Sequence, residues 1–224
     1  MVKFARLFKR VVNIPMYFEN KRRFDRTFDL MHSQTAKRAV DILGGIVGLI
    51  LAAPLILVFG ILIYLESPGP IFYVQRRETV NRRVFCMYKL RSMGVDAEKE
   101  SGPVWPKEAD DRCLRIGTFM RKYNIDETPQ FWNVLKGEMS LVGPRPERPE
   151  FVEIFNQTIE HYNLRHACKA GMTGWAVIHG LRGDTSLEER LKYDLDYIEN
   201  WSLLLDFRIL AMTVFPTKML IDTP

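Results

Sequence analysis

Residues 42–65 read ILGGIVGLILAAPLILVFGILIYL and contain no charged side chain. At about 1.5 Å per residue, a helix of this length would span the roughly 30 Å hydrocarbon core of a bilayer. Apolar residues all round a helix are typical of a membrane segment rather than of the core of a soluble protein. A cleaved signal peptide is excluded because the apolar run is too long and starts too far from the N-terminus. This stretch therefore predicts a membrane helix.

Two features of this helix argue against a straight crossing. Pro54 follows Ala53 at the centre, where a proline removes one backbone hydrogen bond and favours a kink. Positive charge flanks both ends, and the positive-inside rule favours the cytoplasmic side for each flank. The flanking residues are Lys37, Arg38, Arg76, Arg77, Arg82 and Arg83. We therefore predict a re-entrant helix-break-helix hairpin over residues 41–65, broken at Ala53 and Pro54, with a plain crossing as the alternative.

The N-terminal residues 1–40 are predicted to form a basic amphipathic segment at the membrane interface. Residues 1–38 contain ten Lys or Arg against three Asp or Glu. The stretch VKFARLFKRVV repeats apolar residues at helical spacing, with Lys and Arg between them. A soluble amphipathic helix is the alternative, but the neighbouring membrane helix favours the interfacial position.

The remainder of the chain divides into a polar middle, residues 66–185, and C-terminal amphipathic helices, residues 186–224. Ser186 and Glu189 form a capping-box pattern that predicts the start of a helix. Strand patterns in the middle are short, and GPIFYVQRRE followed by RRVFCMYKLRSM predicts a small hairpin. The predicted fold class is therefore mainly α with a small β element, in a monotopic membrane protein.

Composition excludes two classes of site. The three cysteines are far apart with no C-x-x-C, and the four histidines show no H-E-x-x-H spacing. A disulfide framework and a zinc centre are therefore not expected. The formal net charge of +5 suits an anionic partner, either lipid headgroups or nucleic acid.

Two adjacent carboxylates, Asp126 and Glu127, lie in the stretch NIDETPQFWNVLKGEMSLVGPRP. Adjacent side chains on a helix point about 100° apart, so they make a poor pair for flanking one bond as glycosidase carboxylates do. They are better placed to share a divalent cation, or for one to attack while the other binds the metal. The structural alternative is a helix start, with Asp126 as the N-cap and Gly137 just past the helix end.

The same stretch suits phosphate chemistry. A helix N-terminus favours phosphoryl oxygens, and Mg²⁺ prefers oxygen ligands together with substrate phosphate. Pro144 and Pro146 restrict the backbone on both sides of Arg145, which predicts a stiff loop presenting a guanidinium. The basic residues expected around the carboxylates are Lys89, Arg91, Arg112, Arg121 and Arg145. For each of them a solvated surface charge is the alternative interpretation.

Taken in order, these stretches resemble the bacterial sugar transferases, a family of monotopic phosphoglycosyl transferases also called polyprenyl-phosphate hexose-1-phosphate transferases. An undecaprenyl-phosphate glucose phosphotransferase is one example. The resemblance is to the short form, without the extra N-terminal membrane domain of larger members. It rests on four blocks: KRAVDILGGIVGLILAAPLILV, GPIFYVQRRE with MYKLRSM, DETPQFWNVLKGEMSLVGPRPERPEF and KAGMTGWAVIHGLRGDTS.

The resemblance implies a site and a reaction. Asp126 would be the nucleophile, Glu127 its partner with Mg²⁺ bound at the pair, and Lys89, Arg121 and Arg145 the basic active-site residues. A hexose 1-phosphate, with glucose or galactose expected, would pass from a UDP-sugar through a covalent aspartyl intermediate to undecaprenyl phosphate, with release of UMP. Residues 66–185 would be the catalytic domain, on the cytosolic face of the bacterial inner membrane.

The resemblance also implies a role and partners. The reaction would begin the assembly of an exopolysaccharide or O-antigen-type glycan. Membrane lipid is an expected partner, a homodimer and downstream glycosyltransferases are further candidates, and no nucleic acid is expected. Two alternatives stay open: a membrane-attached protein that binds nucleic acid or acidic lipid through charge alone, and a non-catalytic scaffold of a glycan-assembly complex.

Several positions depart from the family pattern. Ala170, Met172 and Val177 replace a proline, an isoleucine and a glutamine, and Asn124 and Thr128 replace a serine and a leucine. None of these changes removes a carboxylate or a basic residue named above. We therefore expect them to bear on the choice of UDP-sugar rather than on activity itself.

Overall fold

The computed structural model describes residues 35–99, 110–183 and 185–215. Its first element is helix α1, Thr35–Glu66, which continues through Pro54 without interruption. The predicted helix-break-helix hairpin is therefore not confirmed. A proline removes one backbone hydrogen bond but does not by itself end a helix in an apolar setting. The interfacial segment predicted before residue 35 lies outside the described residues.

Helix α1 has an apolar outer face that nothing in the described chain covers. By length and composition it is able to cross a membrane, and only 22% of its most apolar window is buried. A core helix of a soluble protein would be mostly buried, so the exposure favours membrane association. Ala53 and Pro54 both lie on the exposed side. Large exposed side chains on this face include Leu43, Val47, Ile50, Leu51, Leu57, Val58 and Leu65.

Both ends of α1 are bonded to the rest of the folded chain. At its N-terminal end the ammonium of Lys37 donates a hydrogen bond of 2.6 Å to the carboxylate of Asp206. Asp41 accepts hydrogen bonds of 2.9 Å from the hydroxyl of Ser140 and from the backbone amide of Leu141. At the other end, the carboxylate of Glu66 accepts 2.7 and 3.0 Å hydrogen bonds from the first two backbone amides of the next helix.

The β structure consists of two small sheets. Strands β1, Phe72–Glu78, and β2, Val84–Leu90, pair antiparallel with Tyr73 opposite Lys89. This confirms the predicted hairpin. Strands β3, Ser140–Val142, and β4, Gly171–Thr173, form a short parallel pair that sequence patterns did not predict. Three residues per strand are too few for a periodic pattern to be recognised.

The remaining described elements are helices. Their bounds are α2 Arg115–Lys122, α3 Gln130–Lys136, α4 Pro149–Thr158, α5 Trp175–Ile178, α6 Leu187–Glu199 and α7 Leu203–Val214. Short 3₁₀ turns occupy Val80–Arg82, Ile125–Glu127 and Tyr162–Ala167. The prediction of a mainly helical fold with a small β element is confirmed. The hydroxyl of Ser186 accepts a 3.2 Å hydrogen bond from the amide of Glu189, as its capping pattern predicts.

The main hydrophobic core lies between β2, α3, β3 and the two C-terminal helices. A smaller core joins Ile63 of α1 to Leu90 of β2 and Met120 of α2. Helix α3 packs directly on α1, because Gly45 leaves space for Leu135 and a Cβ at residue 45 would lie 2.8 Å from that side chain. The turn with the two carboxylates directly precedes α3 and itself contacts α2 and β2.

Candidate active site

Asp126 and Glu127 lie on a 3₁₀ turn rather than at a helix start. Asn124 precedes the turn in the left-handed conformation, with φ of 55°, which asparagine tolerates better than most residues. Helix α3 begins only at Gln130, so the structural interpretation of Asp126 as an N-cap is wrong. The helix does end as predicted at Gly137, which has a left-handed φ of 78°.

Glu127 is held by two cations from different parts of the chain. The ammonium of Lys89, on β2, lies 2.9 Å from Oε1 of Glu127. Arg145, in the loop after β3, donates from both terminal nitrogens, Nη1 to Oε2 at 3.1 Å and Nη2 to Oε1. Both oxygens of this carboxylate are therefore engaged, and the three residues form one ion cluster.

The electrostatics keep Glu127 ionised. Burial alone would raise the pKa of its carboxyl, but Arg145 and Lys89 outweigh burial and hold that pKa well below its usual range. The same contact, together with Glu147 and Asp126, raises the pKa of the Arg145 guanidinium. Glu127 is thus a fixed negative charge rather than a proton carrier.

Asp126 is in a different state from its neighbour. Its side chain is buried, and among the described residues no donor makes a hydrogen bond to its carboxylate. Burial and the charge of Glu127 raise the pKa of Asp126, while Lys89, Arg145 and Arg121 oppose that rise. A carboxylate without hydrogen bonds from the described residues gives up little stabilisation when it attacks phosphorus. The nearby cations can neutralise the charge of an incoming phosphate.

The Pro-Arg-Pro loop is fixed through its backbone. The carbonyl of Pro144 accepts a 2.9 Å hydrogen bond from the amide of Gly171, and the carbonyl of Pro146 accepts one of 3.1 Å from Arg77. The next residue, Glu147, is buried between Arg77 at 3.2 Å and Arg190 at 3.1 Å. These contacts fix the backbone on both sides of Arg145, whose side chain reaches Glu127. The substrate-binding role predicted for Pro144, Arg145 and Pro146 stays a prediction.

Three further predicted residues have other partners. Arg121 exerts a Coulombic effect on Asp126, but its Nη1 donates to the thiol of Cys113 at 2.8 Å. Arg112 forms an ion pair with Asp110 at 2.6 Å. Arg91 is buried and donates to the backbone carbonyl of Ser67, beside the end of α1. The structure thus brings Lys89 and Arg145 to Glu127, places Arg121 near Asp126, and shows no contact of Arg112 or Arg91 with the pair.

Sequence reasoning missed two residues that position this cluster. Asn133 is fully buried in α3, where its side-chain amide donates to the carbonyl of Cys86 at 2.7 Å and accepts from the amide of Tyr88 at 3.0 Å. These bonds fasten α3 to the strand that carries Lys89. Arg165 is the second, and it contacts the backbone of the Pro-Arg-Pro loop from behind. Neither position belongs to a local pattern, since both partners lie far away in sequence.

The arrangement does not fit a magnesium site that uses both carboxylates. Among the described residues no group of three or more His, Cys, Asp or Glu side chains could hold a metal ion. Mg²⁺ is often bound by one or two carboxylates plus substrate phosphate, so a smaller site would suffice. Both oxygens of Glu127 accept hydrogen bonds, however, whereas the carboxylate of Asp126 accepts none from the part of the chain that the structure describes.

Comparison with known proteins assigns the chain to a family. The family model described as "Bacterial sugar transferase" matches residues 32–219. The chain is 43% identical over 180 residues to the UDP-N-acetylgalactosamine-undecaprenyl-phosphate N-acetylgalactosaminephosphotransferase of Aeromonas hydrophila, covering 80% of this chain and 42% of the relative. It is 41% identical over 182 residues to the UDP-glucose:undecaprenyl-phosphate glucose-1-phosphate transferase of Xanthomonas campestris pv. campestris, covering 80% and 38%.

A shorter relative matches along most of its own length. This is the exopolysaccharide production protein PSS of Rhizobium leguminosarum bv. phaseoli, 40% identical over 185 residues, with 80% of this chain and 92% of the relative covered. Against the Aeromonas and Xanthomonas relatives, by contrast, the chain spans about two fifths of their length. Since the family model covers most of the chain, including the ion cluster and the apolar helix, the chain belongs to the bacterial sugar transferase family.

Proposed function

We propose that the chain transfers a sugar 1-phosphate from a UDP-sugar to undecaprenyl phosphate, with release of UMP. The names of the Aeromonas and Xanthomonas relatives contain both kinds of substrate, and they differ in the sugar. UDP-glucose and UDP-galactose are the first donors to test, followed by UDP-N-acetylgalactosamine. The name of the Rhizobium relative supports a role in the production of an exopolysaccharide or a similar surface glycan.

The proposed reaction has two displacements at one phosphorus. A carboxylate oxygen of Asp126 attacks the sugar-bearing phosphorus of the donor, and the bond to the bridging oxygen breaks so that UMP leaves with that oxygen. A phosphate oxygen of the acceptor then attacks the same phosphorus, the bond to Asp126 breaks, and the sugar remains linked to the lipid through a diphosphate. The carboxylate is regenerated and no net proton transfer to the protein is needed.

The contrast between the two carboxylates carries this proposal. Glu127 is locked by Lys89 and Arg145, whereas Asp126 is buried beside them without a hydrogen bond from any described residue. Burial and the charge of Glu127 raise the pKa of Asp126 despite the nearby cations, so its ionised form is less stable than that of an ordinary surface carboxylate. That lower stability is expected where the carboxylate must react.

We also propose that both ends of α1 lie on the cytosolic side of the bacterial inner membrane. A straight helix of 32 residues would be about 48 Å long, so a crossing would separate its ends by the whole hydrocarbon layer. Lys37 at one end and Glu66 at the other are nevertheless bonded to the same folded chain. A re-entrant or shallow helix satisfies these contacts and keeps the ion cluster at headgroup level.

The requirement for Mg²⁺ stays a prediction. When bound, the ion would neutralise charge on the donor diphosphate. Of the two carboxylates, Asp126 would bind it, because both oxygens of Glu127 already accept hydrogen bonds. Binding to Glu127 as well would require Lys89 or Arg145 to leave that carboxylate. Full turnover in excess EDTA would contradict the prediction. A homodimer and downstream glycosyltransferases likewise stay predicted partners.

The covalent step is tested by intact-protein mass spectrometry. Detergent-solubilised protein is incubated with Mg²⁺ and each UDP-sugar in turn, without lipid acceptor. We expect an added mass equal to one sugar phosphate with the correct donor, and no added mass in Asp126→Asn. The matched control is Asp111→Asn, which changes an exposed aspartate. UMP release only when lipid is present, without any adduct, would show direct transfer, and no release with any donor would favour a scaffold.

The topology is tested separately. Tags at the two termini are probed with an impermeant reagent in right-side-out and inverted membrane vesicles. We expect both tags to react only in inverted vesicles. A terminus that reacts in right-side-out vesicles would show that the helix crosses the membrane.

A further inference from the structure

Three aromatic side chains, Phe59 of α1, Phe119 of α2 and Tyr123 at the end of α2, form what we name the aromatic strip. The rings of Phe59 and Phe119 stack with centroids 6.0 Å apart and planes 14° apart. The rings of Phe119 and Tyr123 follow at 4.8 Å and 49°. Phe119 and Tyr123 remain 47% and 57% exposed, although both are large and largely apolar. The strip is therefore ordered by ring contacts but open to its surroundings.

Phe59 packs against the small core that holds α2, but Phe119 and Tyr123 are not part of that core. Ile116 and Met120, on the inner side of α2, already pack into the small core with Ile63 and Leu90. The carboxylate of Glu66 caps the first amides of α2. Since these contacts fix the helix, the exposed rings are available to another molecule.

One end of the strip is continuous with the apolar face of α1. Leu55 and Leu62 lie one turn before and about one turn after Phe59, so they share its side of the helix, and both are exposed. The strip thus begins in the surface that we assign to the membrane.

The other end leads to the ion cluster. Tyr123 precedes Asp126 by three residues, so their Cα atoms are separated by at most about 11 Å of chain. The ammonium of Lys122 lies 5.6 Å from the centroid of the Tyr123 ring, and Arg121 acts on Asp126. Along its length the surface therefore changes from apolar to aromatic to cationic.

We propose that the aromatic strip binds the first isoprenoid units of the polyprenyl phosphate acceptor and guides its phosphate to Asp126. The acceptor has a long unsaturated chain with an anionic phosphate at one end. Its chain suits the apolar and aromatic surfaces, since flat branched units pack well on aromatic rings, and its phosphate suits the cationic end. The inference rests on the proposed function, because it names the acceptor subsite of the same reaction. Anchoring in bulk lipid is the competing role of the strip.

The test separates the acceptor step from the donor step. In Phe119→Ala and Tyr123→Ala we expect the phosphosugar adduct to form from the donor at the wild-type rate, since no acceptor is involved. The KM for polyprenyl phosphate should rise roughly tenfold, while binding to lipid vesicles without acceptor stays unchanged. A saturated alkyl phosphate of equal carbon number should show a smaller rise, because it packs less well on the rings.

Phe207→Ala is the matched control. Phe207 is a 49% exposed aromatic residue on α7, a helix whose main contacts are with β3, β4 and α5. It should change neither the KM nor the adduct. An unchanged acceptor KM in both strip variants would overturn the proposal. Equal losses in all three variants, together with weaker vesicle binding, would show that the strip is a bulk-lipid anchor.

A binding measurement keeps the two proposals distinguishable. A photoreactive polyprenyl phosphate is cross-linked to the wild-type chain and the labelled peptide is identified by mass spectrometry. We expect label in the segment 115–123, with competition by unlabelled polyprenyl phosphate. That result would support the strip even if no donor formed an adduct and the proposed function failed. Label confined to α7 or to the middle of α1 would overturn the proposal.

Discussion

The guanidinium of Arg165 donates a 2.9 Å hydrogen bond to the backbone carbonyl oxygen of Arg145. Arg165 is 2% exposed, and its other donors reach Asp194 at 2.9 and 2.7 Å and the hydroxyl of Tyr162 at 2.9 Å. Asp194 belongs to α6, so the C-terminal part of the chain supports the loop that presents Arg145 to Glu127. The ion cluster is therefore positioned from behind by a second, fully buried ion pair.

We expect Arg165→Lys to lower kcat strongly while changing the melting temperature only slightly. Lysine keeps the charge opposite Asp194 but cannot also reach Tyr162 and the carbonyl of Arg145, so the loop loses its fixed position. A displacement of about 1 Å at a reactive group can cost roughly 100-fold in rate. Steady-state UMP release should show this loss mainly in kcat, with a smaller change in the KM of the donor.

The control for this variant is Arg83→Lys, at an exposed arginine on the hairpin. It should keep wild-type kcat and the wild-type melting temperature. If a folded Arg165→Lys protein turned over at the wild-type rate, Arg165 would have no role in positioning Arg145.

The two carboxylates should respond in opposite ways to loss of charge. Asp126→Asn removes a buried charge that receives no hydrogen bond from the described residues and lies beside Glu127, so we expect an equal or higher melting temperature near neutral pH with no turnover. Glu127→Gln leaves Lys89 and Arg145 without their counter-charge, and should lower the free energy of unfolding by about 1–3 kcal/mol. Thermal unfolding in detergent measures both. Equal destabilisation by the two changes would make Asp126 a structural residue.

Sequence patterns predicted those parts of the site whose conformation or charge depends on neighbouring residues in the chain. The hairpin, the two prolines around Arg145 and the carboxylate pair all lie within short stretches whose residue types restrict the backbone or carry the charge. The predicted helix start at Asp126 was wrong, because a 3₁₀ turn preceded by the left-handed Asn124 comes before the helix. A good N-cap residue does not start a helix when the next residues prefer a tighter turn.

The sequence did not allow us to predict which charged side chains would pair with each other in the folded chain. Arg112 and Arg121 are both basic residues a short distance before the pair, yet only Arg121 acts on Asp126, while Arg112 is taken by Asp110. The ion pair of Lys37 with Asp206 joins residues 169 positions apart. Such pairings depend on how helices pack, which periodicity and residue type do not determine.

Gly48 should tolerate no large side chain. A Cβ at this position would overlap the ring of Phe131, which lies in α3 directly after the carboxylate turn. We expect Gly48→Leu to push α3 away from α1, to lower the free energy of unfolding by about 1–3 kcal/mol and to reduce turnover. Val47→Leu is the matched control, because Val47 is the neighbouring residue, lies on the outer face and is 55% exposed. It should keep the wild-type free energy of unfolding and turnover. A Gly48→Leu protein with wild-type melting temperature would contradict this packing.

Acid should destabilise the chain partly through His166. Burial, and then the nearby guanidinium of Arg165, lower the pKa of His166 from 6.5 to about 3. Between those two pH values the unfolded chain binds a proton that the folded chain does not, so stability falls as the pH drops below about 6.5. For this residue alone the loss would be about 2 kcal/mol at roughly pH 5.

His166→Gln removes this titratable side chain, so the free energy of unfolding should depend less on pH. Denaturant unfolding of wild type and variant is measured from about pH 8 down to about pH 5, where the two curves should converge or cross because only the wild type gains the proton on unfolding. Parallel curves for His166→Gln would instead mean that His166 takes up its proton in the folded chain as readily as in the unfolded one.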